Sequence, residues 1–437
     1  MIARARALMV MALGAVTVAA TRPEAPPDDD TVAFDVEGIR VILRETDNNI
    51  VAANLYLLGG ARQLVPQNAG VELMLLDASE RGTRSYSREV LRRKMSRLGT
   101  DIVIDAEKDW TMFGIRSTTD VFDSTWAIFA DRLMHPLLQP AEVDIVRGQF
   151  LSAISQRRDD PDGLARYLAD SIAFAGHPYA IPVGGTQSSV SQLTANTLRE
   201  YQRGQIVKSR MLLVVVGDVD RAKLESLIRG SLGHLPAGSY RWTLPPPAPR
   251  GAGTVVFEQR PLPTNYVIGY YAGPVANERD IQTLRIATSV LTGRMFADIR
   301  TRRNLTYDVH APFVENAAVL GGLYVTTTSP DVTLGLMRKH VTELQRELID
   351  AEGLKRLSAQ FVTEYLLDNE TNAAQADFLA RAELFRGDYK VAERFVDELR
   401  DVTPQEVRAV AQKYMKGMRF AYVGDSAKVD RRLLLNF

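Results

Sequence analysis

No cysteine occurs in the 437 residues. That excludes disulfides, thiolate metal sites, thiol nucleophiles and lipid attachment through sulfur. Histidine is scarce as well: His135, His177, His234, His310 and His340 are the five present, and no pair of them stands at metal-ligand spacing. An excess of either charge is also missing, because 53 Lys plus Arg balance 53 Asp plus Glu. Without a basic surplus nothing pulls the chain onto nucleic acid. The locally basic run Arg84, Arg88, Arg92, Arg93, Lys94 and Arg97 reads as a solvated helix face. No Ser-His-Asp arrangement, metal cluster or paired-carboxylate motif stands out. Beyond the first twenty residues every apolar run is short or broken by charge, so no segment there reads as a membrane span.

What remains is ordinary globular material. Hydrophobic residues make up 46% and charged residues 24%, and the length suffices for two or three domains, each with its own core. The first residues form a distinct unit: Arg4 and Arg6, an apolar run over 7–20 ending in Val-Ala-Ala, then the polar, proline-rich TRPEAPPDDD. This is the pattern of a secretory signal peptide over 1–20, with a disordered linker over 21–30. A periplasmic or secreted location is therefore expected, and a chain free of cysteine loses nothing in an oxidising compartment.

The stretch 237–253 is crowded with proline and glycine and has neither helical nor strand periodicity, which marks it as a linker. On either side the same order of elements recurs. Strands are expected over 32–45 and 50–60 in the first half and over 254–259 and 266–274 in the second. Helices over 70–79 and 88–98 correspond to helices over 280–291 and 295–303. Two further strands follow in each half, over 101–118 and 305–328, rich in β-branched and aromatic residues. Three helices come next, over 120–134, 140–158 and 162–175, matched by 332–350, 353–369 and 372–385. Each half closes on a buried strand ending in Val-Gly-Asp. A repeat of roughly 200 residues is too long for a solenoid and implies two homologous domains, over 31–236 and 254–437. The fold class expected is α+β: two α/β-layer domains, each an antiparallel-rich sheet with helices packed on one face.

Two short stretches carry a more specific signal. The first is GVELMLLDASERGT at 70–83, and the second is RMFADIRTRRNLTYDV at 294–309, which holds Arg300 and Tyr307 seven residues apart. Together with the duplication, they resemble the pitrilysin/insulinase-type zinc metallopeptidases over about residues 31–430. In that family the first half carries the inverted zinc motif H-x-x-E-H within a G-x-A-H-F-L-E-H-M-x-F-K-G-T frame. Laid on that frame, the two histidine positions hold Leu73 and Asp77, and the general-base glutamate position holds Leu76. The third ligand, a glutamate ending E-R-x5-E, corresponds to Ala153 in VRGQFLSA at 146–153. Zinc catalysis takes three protein donors and an open water position, and one carboxylate at Asp77 does not supply them.

The resemblance implies that Arg300 and Tyr307 are catalytic and substrate-binding residues that grip a peptide beside a zinc ion. A phenol O–H is a suitable donor to the oxygen of a tetrahedral intermediate, and a guanidinium holds a carbonyl or carboxylate in fixed geometry. Read without the family frame, the same residues are an exposed arginine-rich helix end and one tyrosine among fifteen. With the frame, no cofactor is expected in this chain. The zinc is expected in a homologous H-x-x-E-H partner subunit, the two chains forming a heterodimer that acts on peptides or unfolded proteins. The chain alone is expected to be inactive. The rival expectation is a catalytically inactive homologue with a structural or peptide-binding role.

Overall fold

The computed structural model describes residues 31–437, so the signal peptide and the linker at 21–30 expected from the sequence lie outside the described residues. The first half builds a six-stranded sheet from β1 (Thr31–Val36), β2 (Ile39–Glu45), β3 (Ile50–Leu58), β4 (Asp101–Ala106), β5 (Trp110–Thr118) and β6 (Met211–Gly217). Its order is β1-β2-β6-β3-β5-β4, with β6 parallel to β2 and antiparallel to β3. The expected single strand at 32–45 is a hairpin. Glu37 and Gly38 both take positive φ, 52° and 84°, and a two-residue turn of that conformation matches the twist of paired strands.

Eight helices accompany this sheet: α1 (Val71–Ala78), α2 (Arg88–Leu98), α3 (Phe122–Met134), α4 (Pro140–Asp159), α5 (Pro161–Ala173), α6 (Gln187–Gln192), α7 (Ala195–Gln205) and α8 (Arg221–Arg229). The break between α4 and α5 follows from local chemistry. The Asp160 carboxylate accepts from the Asp162 and Gly163 backbone N–H groups, and Pro161 opens the next helix, a combination that satisfies orphan donors and needs none from proline.

The second half repeats the plan with β7 (Thr254–Gln259), β8 (Asn265–Val275), β9 (Thr306–His310), β10 (Phe313–Val314), β11 (Ala318–Thr327) and β12 (Arg419–Gly424). Again the last strand, β12, lies parallel to the first, β7, and antiparallel to the second, β8. Its helices are α9 (Asp280–Met295), α10 (Pro330–Arg346), α11 (Ala351–Asp368), α12 (Asn372–Arg386), α13 (Phe395–Arg400), α14 (Pro404–Tyr414) and α15 (Arg431–Leu435).

Each half's own helices cover one face of its sheet, as the pattern led us to expect. The opposite face is covered from across the molecule. Along β6, Leu213 and Val215 join a core with Met74, Leu75, Trp126 and Phe129. The alternate residues Leu212, Val214 and Val216 pack against Leu379, Ala380 and Phe385 of α12, from the second half. In return, Leu164, Ala165, Ala169 and Ala173 of α5 pack on Ile268, Tyr270, Ala421 and Val423 of the second sheet. Strand residues alternate between faces, so a strand buried on both sides reads as one apolar run. All seven residues of β6 are buried for that reason.

Candidate functional site

The frame at 70–83 folds as α1, which packs against α4. Leu76 is buried among Leu75, Met74 and the strands beneath, and Leu73 is half-buried. Asp77 is also half-buried, while Ala153 is exposed on α4. A pocket of about 210 Å³ opens beside Asp77 and Glu80, with Arg81, Arg88, Arg92 and Gln149 completing its wall. Burial raises the Asp77 carboxyl above its ordinary value, and Glu80 adds to the effect against the opposing charges of Arg132 and Arg81. Two carboxylates among several guanidinium groups, with no imidazole or thiolate beside them, are a poor donor set for a dication, and these residues do not fit a zinc ion. Among the described residues, no three His, Cys, Asp or Glu side chains gather in a way that holds a metal.

One carboxylate in the frame has a different task. Glu72 is buried and its Oε2 lies 2.7 Å from Arg210 Nη2, while the Tyr201 hydroxyl donates to the same oxygen at 2.8 Å. Arg210 also donates to the carbonyls of Leu58 and Gln205, at 2.8 and 3.0 Å. This group pins α1 to the ends of β3, α7 and β6.

Arg300 and Tyr307 come together at a corner between helix and strand. The expected pair of helices at 280–291 and 295–303 is one continuous element, because no proline interrupts it: α9 runs to Met295 and widens into a π-helical segment, Phe296–Arg302. Such widened turns recur at functional sites. Asn304, at φ 52°, turns the chain out of the helix, and β9 begins at Thr306. Across that corner the Arg300 guanidinium carbon sits 4.6 Å from the centre of the Tyr307 ring, and Arg300 Nη1 donates to the Thr306 carbonyl at 3.3 Å. Tyr307 is 81% exposed, so no wall among the described residues closes over it. Phe296, in the same segment, is exposed too.

The segment is anchored from below by Asp298. Its Oδ1 accepts from Arg302 and Arg303 at 3.1 and 3.2 Å, and its Oδ2 faces His340 Nε2 at 3.1 Å. Burial pushes the Asp298 carboxyl up, but hydrogen bonds from His340 and Arg303 outweigh it and leave the group below its ordinary value. Two of the three arginines in Arg-Thr-Arg-Arg are thus structural. Arg300 is the one turned to Tyr307.

A second buried node joins the halves. Asp109, in the turn between β4 and β5, accepts from the Tyr179 hydroxyl and, at 3.0 Å, from the Ala317 backbone N–H just before β11. Arg62 Nε lies 3.2 Å from the other Asp109 oxygen, an ion-pair contact without hydrogen-bond alignment. His177 is a structural residue here: its Nδ1 accepts from the Tyr179 N–H, and its Nε2 is 2.9 Å from the Pro246 carbonyl.

Comparison with known proteins agrees with this fold. Residues 40–187 match the family model described as insulinase (peptidase family M16), and residues 192–361 match the one described as the peptidase M16 inactive domain. An uncharacterized zinc protease of Streptomyces coelicolor is 24% identical over 369 residues, covering 81% of this chain and 80% of that protein. Subunit 1 of the mitochondrial cytochrome b-c1 complex of Caenorhabditis elegans is 22% identical over 416 residues, covering 89% and 86%. Among solved structures, a peptidase M16 inactive domain from Pseudomonas fluorescens superposes with a TM-score of 0.84 at 19% identity, over 91% of this chain and 98% of that one. A protease from Helicobacter pylori gives 0.82 at 15% identity, over 90% and 99%. At those identities the superpositions establish the fold. With two models of this family matching 40–187 and 192–361, most of its length, the chain belongs to the insulinase family of peptidases, M16.

Proposed function

We propose that this chain is the non-zinc subunit of a heterodimeric metallopeptidase, lending Arg300 and Tyr307 to a zinc ion held by an H-x-x-E-H partner. The observation that carries the reading is the pairing of two facts. The ligand positions hold Leu73, Asp77 and Ala153 with Leu76 at the general-base position, while the stacked Arg300 and Tyr307 stand on open surface beside the exposed Phe296. Side chains so placed are available to a second molecule. In such a complex Tyr307 donates to the oxygen that gains charge as water attacks the peptide carbonyl, and Arg300 holds the substrate backbone. Removing one donor of this kind costs about 100-fold or more in rate. The working compartment is the periplasm or the cell exterior, on the strength of the N-terminal segment.

The test is co-purification with a secreted H-x-x-E-H paralogue, followed by peptide hydrolysis assays. Arg300→Ala and Tyr307→Phe are each expected to lower kcat/KM by about 100-fold without dissociating the pair. Hydrolysis by the pair at an undiminished rate in both variants refutes the assigned roles. The second reading, a homologue with a structural or peptide-binding role, draws on the similarity to a respiratory-complex subunit. It is favoured if the chain assembles tightly with a partner and no complex containing it cleaves peptides.

A further inference from the structure

A concentration of positive charge lies at the seam where the exchanged helix α5 meets the second sheet. A pocket of about 260 Å³ opens there, and four cationic side chains line it: Arg250, Lys413, Lys416 and Arg419. No acidic residue lines it. The pocket beside Asp77 differs, since its arginines share the wall with two carboxylates.

Partners outside the pocket account for only part of this charge. Lys413 Nζ is 2.6 Å from Asp280, and Arg419 Nη1 donates to the Ile172 and Ala173 carbonyls at the end of α5, at 3.0 Å each. Arg250 is held by stacking, its guanidinium carbon 5.2 Å from the centre of the Tyr414 ring, and makes no ion pair among the described residues. Lys416 has no side-chain partner among the described residues. Arg250, Lys413 and Lys416 are exposed and Arg419 is half-buried, and two unpaired cations beside two others give this pocket a local positive potential that favours an anion.

The walls are shaped to admit one. Gly417 takes φ +62°, and a Cβ there would stand 2.2 Å from the Gly251 carbonyl oxygen, so the linker and the turn after α14 touch through backbone. A Cβ on Gly251 would fall 3.1 Å from Arg419 Nη2. That nitrogen is the end of the guanidinium not used by α5. Ala272, Leu320 and Tyr270 line the same pocket and give it apolar surface.

We propose that this pocket binds a compact phosphate-bearing molecule, the phosphate between Arg250, Lys416 and Arg419 and the organic group on the apolar surface. A tetrahedral dianion suits a mixture of guanidinium forks and ammonium point charges, and the volume sits just under the range typical of drug-sized ligands. The site does not depend on the peptidase reading. Its occupant links the end of the interdomain linker, the α14–β12 turn and, through Arg419, the last turn of α5. Binding therefore fastens the exchanged helix and stabilises the folded chain by mass action.

Calorimetric titration of the purified chain with inorganic phosphate and with sn-glycerol 3-phosphate, at constant ionic strength in chloride, tests the proposal. Thermal unfolding at the same ligand concentrations and flotation with phosphatidic acid vesicles complete it. Saturable binding and a concentration-dependent rise in Tm are expected. The double variant Arg250→Gln/Lys416→Gln, which removes the two cations without a carboxylate partner, should lose at least about tenfold in affinity and abolish the rise. The control Arg93→Gln/Arg97→Gln on α2 removes the same charge elsewhere and should bind within about twofold of the parent. Saturable binding of the soluble ester with vesicles left unbound supports the site and identifies a free phosphate ester as its ligand. Vesicle capture that the double variant loses and the control keeps supports it with a lipid headgroup as ligand. The proposal is overturned if no probe binds saturably, or if both double variants weaken binding equally.

Discussion

Breaking the buried Glu72–Arg210 pair gives the sharpest test of how α1 is held without a metal. The side chains are 3% and 1% exposed and 2.7 Å apart, and Glu72 Oε1 has no hydrogen-bond partner. Glu72→Leu leaves a buried guanidinium facing neutral groups alone, the carbonyls of Leu58 and Gln205, the Tyr201 hydroxyl and the Gln63 side-chain amide. An uncompensated buried charge of this kind costs about 3–5 kcal/mol. For roughly 400 ordered residues the unfolding entropy is about 0.9 kcal/mol/K, so Tm should fall by about 3–6 °C. Arg210→Met should cost at least as much, because it strands the Glu72 carboxylate and two carbonyl acceptors together. The double variant removes both charges and should recover much of the loss, since replacing a whole buried pair by apolar groups is often near neutral. Urea denaturation of the four proteins closes the cycle, with an expected coupling of about 2 kcal/mol or more. Single effects that simply add to the double, within about 0.5 kcal/mol, would show that the two side chains act independently and refute the reasoning.

Two further outcomes follow from the contacts between the halves. Burial holds the Asp109 carboxyl above its ordinary 3.8, against the opposing bonds from Tyr179 and Ala317. The folded state thus keeps a proton that the unfolded state has lost, and stability drains away as pH rises from 3.8 through the folded value. Asp109→Asn removes that slope, so its stability relative to the parent should improve across the window, as urea midpoints measured at several pH values will show; a flat or falling difference contradicts the assignment. Separately expressed, residues 31–236 and 254–437 each lack the helix that covers the outer face of their sheet. Both should bind a hydrophobic dye and unfold without cooperativity, and co-expression should restore a single transition. A sharp transition from either half alone would contradict the exchange.

Much of the architecture was legible because the repeat writes it twice. The α2 boundaries, the Asp160-Pro161 break and the strands ending in Val-Gly-Asp follow from local rules that act within a few residues. The exchange of α5 and α12 was not legible. A stripe such as Ala165, Ala169 and Ala173 announces close packing, but the periodicity is the same whichever sheet lies beneath it. Asp109 was hidden for a similar reason: its partners Tyr179 and Ala317 lie 70 and 208 residues away, and nothing in the turn where it sits marks it as buried. At the site, the family frame rather than the spacing singled out Arg300 and Tyr307, which without it read as an exposed helix end and one tyrosine among fifteen. The π-helical widening was not visible, nor was the anchoring of Arg302 and Arg303 by Asp298, which contacts His340 some 42 residues on.

The two stretches that resemble a catalytic peptidase therefore keep different parts of the pattern. Around α1 the frame survives as structure: Gly70 opens the helix in a left-handed conformation, Leu76 fills the core, and Glu72 turns inward to Arg210. Those contacts explain why the segment folds as it does with no reference to a metal, and they leave Asp77 as the one ligand-type side chain among the replaced positions. At the 296–307 corner the reverse holds. Asp298 anchors the segment and Asn304 turns it out of the helix, while Arg300 gives one hydrogen bond to the Thr306 carbonyl and Tyr307 stands 81% exposed. A large amphipathic ring held at a surface by a cation is costly to leave in water and cheap to cover. It is the feature of this chain that a second molecule best explains.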